Sequence, residues 1–281
     1  MIANNFCAYI LSHGRADNVK TFKTLRKHGY SGNIRIVCDS DDSQIEEYRK
    51  LYEVDVFNKE DYKNRIQFVD NFNRRDMVVF ARHAVFDIAK KNGHKYFVML
   101  DDDYNTFGLR YVYDGRLLSK NKKLDNIFSY FVEFLKNTNT KTIAFSQGGD
   151  FIGGAKNFAS KNKVLRKSMN AFFCDCDNPI DFLGTINEDT NTYTRYSQLG
   201  ELYFTYLPFY LSQTTTQKSK GGLSDIYLDQ GTFVKSFYTV ILAPNCCVVA
   251  KMGNKHKRFH HRIAWNNCAP KILGGKWKLK N

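Results

Sequence analysis

The sequence predicts an α/β fold with a mixed, mainly parallel central sheet. Two observations support this prediction. Short apolar runs alternate with segments of helical periodicity through the N-terminal part of the chain, and polar residues follow directly after several of the apolar runs. Strands that alternate with helices run parallel through right-handed crossovers. With 281 residues, 43% of them hydrophobic, the chain is long enough to bury one large core.

The N-terminal part of the chain contains the clearest alternation. Phe6 to Leu11 is an apolar run, and the spacing of Val19, Phe22 and Leu25 places apolar side chains on one face of the helix that follows. The expected strands span 6–11, 33–38, 54–57 and 96–100, and the expected helices span 16–27, 44–51 and 77–91.

The remainder of the chain is less regular. Residues 147–154 form a glycine-rich loop that would let the backbone approach a ligand closely, although the loop lacks the Gly-Lys-Ser/Thr ending of a phosphate-binding P-loop. The tail from Lys251 is basic and aromatic. The expected strands span 142–146, 170–174, 203–207 and 239–243, and the expected helices span 124–135 and 190–199.

Polar residues follow three of the predicted parallel strands. Arg15 comes after the first strand, Asp39 after the second, and Asp101, Asp102 and Asp103 after the strand that ends at residue 100. Ligands of such sheets bind beyond the carboxyl ends of the strands, so we expect these side chains at one ligand site. Three adjacent carboxylates repel one another unless a cation shares the site. An acidic turn is the alternative interpretation.

The balance of charge predicts an anionic partner. The sequence holds 42 Lys and Arg against 28 Asp and Glu, a formal net charge of +14, which favours salt-sensitive binding to nucleic acid or another phosphate-rich partner. The chain opens without a secretory signal, and no apolar stretch approaches the roughly 18 residues that span a bilayer. The 7 cysteines lack the paired spacing of a zinc site. We therefore expect reduced thiols, a cytoplasmic location and no membrane partner.

A second acidic motif opens a predicted helix at Glu188 and Asp189. The helix dipole favours acids there, so capping explains the motif as well as a general base does. Asp225 and Asp229 follow a glycine-containing turn and compete for the role of base. Arg82 interrupts an otherwise apolar helix, where it either snorkels to the surface or grips a phosphate.

These motifs resemble those of GT-A glycosyltransferases. The run Asp101–Asp103 at a strand end is similar to their metal and nucleotide-sugar motif, and Glu188-Asp189 followed by Arg195 and Gly200 is similar to the acidic helix start of inverting members. More closely, Tyr-Ile-Leu-Ser-His-Gly-Arg-Ala, Phe-Val-Met-Leu-Asp-Asp-Asp-Tyr and His-His-Arg-Ile-Ala-Trp resemble the TET-associated glycosyltransferases. Those phage-type GT-A enzymes glycosylate hydroxymethylated pyrimidines in DNA.

The resemblance implies one Rossmann-like GT-A domain over 1–281, with a nucleotide-sugar-binding half at 1–105, an acceptor half at 106–245 and a basic extension at 246–281. It also implies a nucleotide-diphosphate sugar donor, with a UDP-sugar as first choice, and Mn²⁺ or Mg²⁺. The expected metal ligands are Asp101, Asp103 and His261, with His260 as the alternative to His261. The expected donor-binding residues are Ser12, Arg15, Asp39, Arg82, Asp101 and Asp102.

The resemblance further implies that Asp189 is the catalytic base, with Glu188 as second choice. The partner would be double-stranded DNA carrying modified pyrimidines, in the host cytoplasm if the chain is phage-encoded. A base in a stacked duplex would reach such a site only by extrusion or in a wide cleft. The alternatives are a glycan or protein acceptor, or nucleotidyl transfer. The expected DNA contacts are Lys163, Arg166, Lys257 and Arg258.

Overall fold

The computed structural model describes residues 5–69, 77–151, 153–156, 167–168, 171–213, 224–253, 258–268, 272 and 274–275, with the backbone alone over 224–232. Within these residues the strands are β1 (Phe6–Leu11), β2 (Asn33–Asp39), β3 (Val54–Phe57), β4 (Tyr96–Asp101), β5 (Tyr104–Tyr113), β6 (Arg116–Lys120), β7 (Thr142–Gln147), β8 (Phe172–Asp175), β9 (Tyr203–Gln213), β10 (Cys247–Met252) and β11 (Arg258–Ile263). The α-helices are α1 (Lys20–Lys27), α2 (Ile45–Leu51), α3 (Val78–Lys91), α4 (Leu124–Asn137), α5 (Glu188–Gln198), α6 (Ser224–Leu242) and α7 (Trp265–Cys268).

The first nine strands form a single sheet in the order β3-β2-β1-β4-β8-β7-β9-β5-β6. Strands β1 to β4 pair in parallel, β7 pairs with β9 in parallel, and β8 and β5 run antiparallel to their neighbours. The predicted mixed, mainly parallel sheet is therefore confirmed. Strands β10 and β11 form a separate antiparallel hairpin.

The central strands are buried on both faces, which is why they read as continuous apolar runs. In β1, Phe6, Ala8 and Ile10 pack in a core cluster on one face, with α4 above it. Cys7 and Tyr9 point to the opposite face, where α3 packs. The sheet therefore holds its strand ends rigidly between two helical layers.

Several element boundaries differ from the prediction. The predicted strand at 239–243 is wrong, because Thr239 to Leu242 continue helix α6. Their β-branched and apolar side chains suit a buried helix face as well as a strand. Strand β9 continues through Pro208 to Gln213, and the basic tail contains the hairpin β10–β11, which was not predicted.

Two further features bear on the predicted environment. Each of the seven cysteines is free and buried. Within the described ranges, no helix combines the length and the apolar character that crossing a bilayer requires.

Candidate active site

The ends of β1 and β4 meet in a hydrogen-bonded chain centred on Asp102. Ser12 Oγ donates to Asp102 Oδ2 at 2.7 Å, and Arg15 Nη1 donates to Asp102 Oδ1 at 2.8 Å. Tyr48 Oη accepts the Arg15 backbone N–H at 2.9 Å and lies 2.8 Å from Ser12 Oγ. Asp102 is buried and both of its oxygens are engaged. It therefore holds the loop after β1 against the acidic turn, and it brings together three of the predicted donor-binding residues.

Asp39 lies at the end of β2 between two cationic side chains. Its Oδ2 lies 2.7 Å from His13 Nδ1, and its Oδ1 lies 2.9 Å from Lys59 Nζ. Burial alone would raise the pKa of Asp39, but the hydrogen bonds from His13 and Lys59 outweigh burial and lower the pKa to about 2. The same hydrogen bond raises the pKa of His13. Neither His13 nor Lys59 was predicted, although His13 directly follows Ser12 at the end of β1.

Asp101 and Asp103 flank Asp102 but lie in a less favourable environment for negative charge. Burial raises the pKa of Asp101 to about 6; Arg82 opposes this shift, while Asp103 and Asp102 reinforce it. Burial and the charge of Asp102 also raise the pKa of Asp103. A divalent cation on oxygen ligands would relieve this repulsion, so the two carboxylates fit the metal predicted for them.

Arg82 links the two acidic motifs. Its Nε donates to Glu188 Oε1 at 2.7 Å, and its Nη2 donates to Asp101 Oδ1 at 3.4 Å. The side chain of Arg82 is only 4% exposed, and the rings of Phe172 and Phe182 lie 5.3 and 5.5 Å from its guanidinium carbon. Arg82 therefore does not snorkel. It places the end of β4 and the start of α5 in one site.

The segment before α5 is held by α6. Asn187 has a left-handed conformation, with φ of 56°, which Asn tolerates better than most residues, and its Nδ2 donates to the Lys235 carbonyl at 2.6 Å. Tyr238 Oη accepts the Thr185 backbone N–H at 3.0 Å. Gly184 has φ of +77°, and a Cβ there would lie 2.6 Å from the Tyr238 ring. These contacts fix the direction in which α5 begins.

The two candidate bases at the start of α5 have different surroundings. Glu188 is 4% exposed and is bound to Arg82; burial raises the pKa of Glu188 and Arg82 opposes that shift. Among the described residues, the Asp189 carboxylate accepts a single hydrogen bond, from the Thr190 backbone N–H at 2.6 Å. The helix N-terminus stabilises both carboxylates. Because Glu188 is engaged by Arg82, Asp189 is the better candidate base.

Imidazole and cationic side chains lie beyond the acid pair. The rings of His260 and His261 have centroids 4.2 Å apart. Burial lowers the pKa of His261 to about 3, and His260, Lys235 and Lys167 reinforce the shift. Burial also lowers the pKa of Lys235, and the nearby Asp189 opposes that effect. Lys235 on α6 therefore interacts with both acids.

The predicted metal ligands are only partly brought together. His261 Nδ1 is buried without a hydrogen-bond partner among the described residues, and its low pKa keeps the imidazole neutral, as a metal ligand must be. Nevertheless, the described residues contain no group of three or more His, Cys, Asp or Glu side chains close enough to hold a metal ion. Asp101, Asp103 and His261 are not assembled into one ligand set, and the role of His261 stays a prediction.

The remaining predicted residues are placed less completely. Arg258 begins β11 and is exposed. Asp225 and Asp229 lie in α6, where only the backbone is described. Lys163, Arg166 and Lys257, which were predicted to contact nucleic acid, lie outside the described residues.

The chain shares low similarity with solved structures of sugar-transferring enzymes. One is glucosyl-3-phosphoglycerate synthase from Mycobacterium tuberculosis in complex with Mn²⁺, uridine diphosphate and phosphoglyceric acid, with 10% identity, a TM-score of 0.44 and coverage of 92% of this chain and 87% of that chain. Another is a mannosyltransferase from Pyrobaculum calidifontis in complex with GDP-Man and Mn²⁺, with 9% identity, a TM-score of 0.45 and coverage of 85% and 73%. Likenesses at this level carry no argument about activity. No curated protein sequence matches the chain significantly.

A family model gives the decisive comparison. The model of the TET-associated glycosyltransferases matches residues 6–222, a range that includes β1 to β9, the acidic run at the end of β4 and the acidic start of α5. The match confirms the predicted family, and the observed mixed sheet confirms the predicted α/β class. Because the match spans well over half of the sequence, the chain belongs to the TET-associated glycosyltransferase family and is a glycosyltransferase.

Proposed function

We propose that this glycosyltransferase moves a sugar from a nucleotide-diphosphate sugar to the hydroxyl of a hydroxymethylated pyrimidine in DNA. The observation that most supports a single transfer site is that Arg82 bonds both Asp101 and Glu188. The edge predicted to bind the donor is therefore beside the acid pair predicted to activate the acceptor. The family name and the net charge of +14 support DNA as the acceptor.

On the donor side, the residues of this chain would bind and orient the nucleotide. Asp101 and Asp103 would hold Mn²⁺ or Mg²⁺, which when bound neutralises the charge that develops on the diphosphate leaving group. Arg15 is already oriented by Asp102 at 2.8 Å, and its guanidinium would interact with the donor phosphates. Asp39 would face the nucleobase, with a UDP-sugar as the first choice of donor.

On the acceptor side, Asp189 would accept the proton of the attacking hydroxyl in a single displacement with inversion. The Arg82–Glu188 ion pair at 2.7 Å would hold the start of α5 in place while Asp189 acts. A pyrimidine in a stacked duplex cannot reach a carboxylate that is only 9% exposed without leaving the stack, so the proposal includes extrusion of the target base. Arg258 would contact the DNA backbone.

The proposal is tested by mass spectrometry of nucleosides. DNA that contains hydroxymethylated pyrimidines is incubated with the protein, a divalent metal ion and a panel of nucleotide sugars, and is then digested. The expected result is a nucleoside heavier by one sugar residue, with one of the donors. Transfer to a glycan or protein in parallel reactions, with none to DNA, would overturn the DNA acceptor.

The metal assignment is tested separately with Asp103→Ala. Loss of one carboxylate ligand should raise the Mn²⁺ concentration needed for half-maximal transfer by about 10-fold or more. Asp41→Ala is the matched control, because the Asp41 side chain lies near the same edge but is 72% exposed. An unchanged metal requirement in Asp103→Ala would remove Asp103 from the site.

A further inference from the structure

We propose that an exposed aromatic cluster on α6 and β11 is a platform on which unpaired bases of the DNA acceptor stack. The cluster consists of Phe233, Phe237 and Phe259 and is called the aromatic platform below. The inference rests on the proposed function, because it takes DNA as the partner. It adds a preference for an unpaired strand over an intact duplex.

The three rings form one continuous apolar surface. Phe233 and Phe237 stack with centroids 5.6 Å apart and planes 10° from parallel, and Phe259 meets Phe233 edge-on at 5.7 Å and 83°. Their exposed fractions are 48%, 43% and 43%. Single exposed apolar residues are ordinary, but a contiguous exposed patch marks an interaction surface. Rings that already contact one another are also rigid, so a partner orders few side chains when it binds.

The charges beside the platform favour a polyanion. Lys251 is the register partner of Phe259 in the hairpin, so both side chains lie on the same face of β10–β11. Arg258 adjoins Phe259, and both cations are exposed. Exposed aromatic rings among cations are what proteins use to bind single-stranded nucleic acid, since the rings stack on bases and the cations contact phosphates. A second copy of this chain is disfavoured, because each copy carries a net charge of +14.

The platform lies on α6 and β11, which also carry side chains that border the candidate active site. Phe259 and His261 project from the same face of β11, roughly 7 Å apart along the strand. Lys235 lies between Phe233 and Phe237 in sequence, but it is directed towards the opposite side of α6, where it interacts with Asp189. The platform and the acid pair therefore lie on different sides of α6, and a strand stacked on the platform would bind beside the active site.

The test measures DNA binding without any donor. The probes are a short fluorescein-labelled oligothymidylate and the same strand annealed to its complement, and the readout is fluorescence anisotropy over a series of salt concentrations. Phe259→Ala and Phe233→Ala should each weaken binding of the single strand by roughly 5- to 100-fold without changing the salt dependence. Lys251→Ala should instead reduce the slope of log K against log salt by about 0.7.

Two controls separate stacking from other effects. Tyr130→Ala removes an exposed ring, 67% accessible, from α4 and should leave binding unchanged. Phe259→Trp should bind the single strand at least as tightly as the unaltered protein, whereas Phe259→Leu, which keeps apolar area but has no ring, should be as weak as Phe259→Ala. Equal thermal midpoints among the variants would show that folding is unaffected.

Three results would overturn the platform. Phe233→Ala and Phe259→Ala could bind the single strand as tightly as Tyr130→Ala does, or they could lose equal affinity for the single strand and the duplex. The third result is a dimer of the unaltered protein that Phe259→Ala converts to a monomer without a change in DNA affinity. The outcome is independent of the nucleoside assay. Sugar transfer to DNA with no effect of the platform variants would refute the platform alone, and weakened binding with no transfer would refute the proposed function alone.

Discussion

The two halves of the candidate site, one at the ends of β1 and β2 and the other between β4 and β11, differ in how fully their charged side chains are paired. Asp102, which follows β4, is buried and is paired with Ser12 and Arg15 from the loop after β1. Asp39, at the end of β2, is buried and is paired with His13 and Lys59. Between β4 and β11 the pairing is less complete, because Asp101 shares Arg82 with Glu188 and lies beside two other carboxylates. Burial and mutual repulsion raise the pKa of Asp101, and burial and neighbouring cations lower the pKa of His261.

This difference distinguishes the half that supports the structure of the site from the half in which we expect the reaction to take place. A carboxylate with internal partners holds the loops around it in position. Groups whose ionisation the protein disfavours gain most when a ligand of opposite charge arrives, which is why such groups are typical of functional sites. The matched half therefore fixes the residues that would orient the nucleotide, and the strained half is where we expect the metal ion and the acceptor to bind.

The largest expected effect is at Asp189. Asp189→Asn removes the proposed base, so the rate of sugar transfer should fall by about 10²- to 10⁴-fold, while binding of the nucleotide, measured by calorimetry, should change little. Asp181→Asn is the matched control, because Asp181 is an exposed carboxylate that accepts a hydrogen bond from Tyr196 at 2.9 Å. Retention of full transfer by Asp189→Asn would return the role of base to Glu188, Asp225 or Asp229.

The second effect concerns the link between the two halves. Arg82→Gln leaves Glu188 buried without its cation, and the free energy of unfolding in urea should fall by about 3–5 kcal/mol. Arg65→Gln is the control, since the Arg65–Asp87 pair at 3.0 Å is about half exposed and should contribute less than about 1 kcal/mol.

A double substitution tests the cause of that loss. Arg82→Met combined with Glu188→Leu removes both buried charges and should recover most of the stability, because the cost arises from the unpaired carboxylate. If the double variant is as unstable as Arg82→Gln, the loss of stability does not come from the broken ion pair. It would come from the loss of the Arg82 side chain between Phe172 and Phe182.

The third effect tests how α6 orients the acid pair. Gly184→Ala introduces a Cβ 2.6 Å from the Tyr238 ring at a φ of +77°, so it should lower the free energy of unfolding by about 1–3 kcal/mol and also slow transfer. Gly93→Ala has a similar φ, +75°, with nothing within 4 Å, and should show only the smaller backbone cost. Equal losses for the two variants would indicate that Tyr238 is free to move.

The smallest effect is a pH dependence in the matched half. The raised pKa of His13 means that its pairing with Asp39 stabilises the fold fully below pH 6.5 and loses that contribution as pH rises through the folded value. Since the His13 side chain is 54% exposed, His13→Asn should cost less than about 1 kcal/mol, with the larger loss at pH 5.5 than at pH 8.5 in urea unfolding.

A second histidine, His28, should change the stability of the fold with pH in the opposite direction. Burial lowers the pKa of His28, so His28 in the unaltered protein destabilises the fold as pH falls, and His28→Asn should be relatively more stable at the lower pH. Parallel pH responses of the two variants would contradict the pairing of His13 with Asp39.

The strands of the sheet were largely predictable, whereas the C-terminal elements were not. Phe6 to Leu11 and Tyr96 to Leu100 are buried on both faces, and such strands leave a continuous apolar run in the sequence. The run Thr239 to Leu242 has the same local character but belongs to α6, because packing against α5 overrides strand propensity. In the hairpin, the largely apolar strand β10 pairs with the basic strand β11, and β11 lacks the continuous apolar run that identifies the central strands.

The sequence predicted which residues belong to the candidate site, but it did not predict which of them pair with one another. The acidic run after β4 and the acidic start of α5 are visible as motifs, and the family match includes both. The pairing of Arg82 with Glu188 spans 106 residues, and the pairing of His13 with Asp39 spans 26. Neither pairing follows a local spacing rule, so neither could be predicted from a pattern in the sequence.

The order of residues is enough to establish the α/β class, the acids that follow the strands, the excess of positive charge and the family. Each of these depends on local periodicity, composition or a contiguous motif, which the order of residues contains directly. Which carboxylates are fully paired with cations of the same chain, and which lie close to other carboxylates, is set by the folded arrangement. That choice depends on burial and on side chains from distant elements, since the free energy of a charge is set by its surroundings in space and not by its neighbours in the chain.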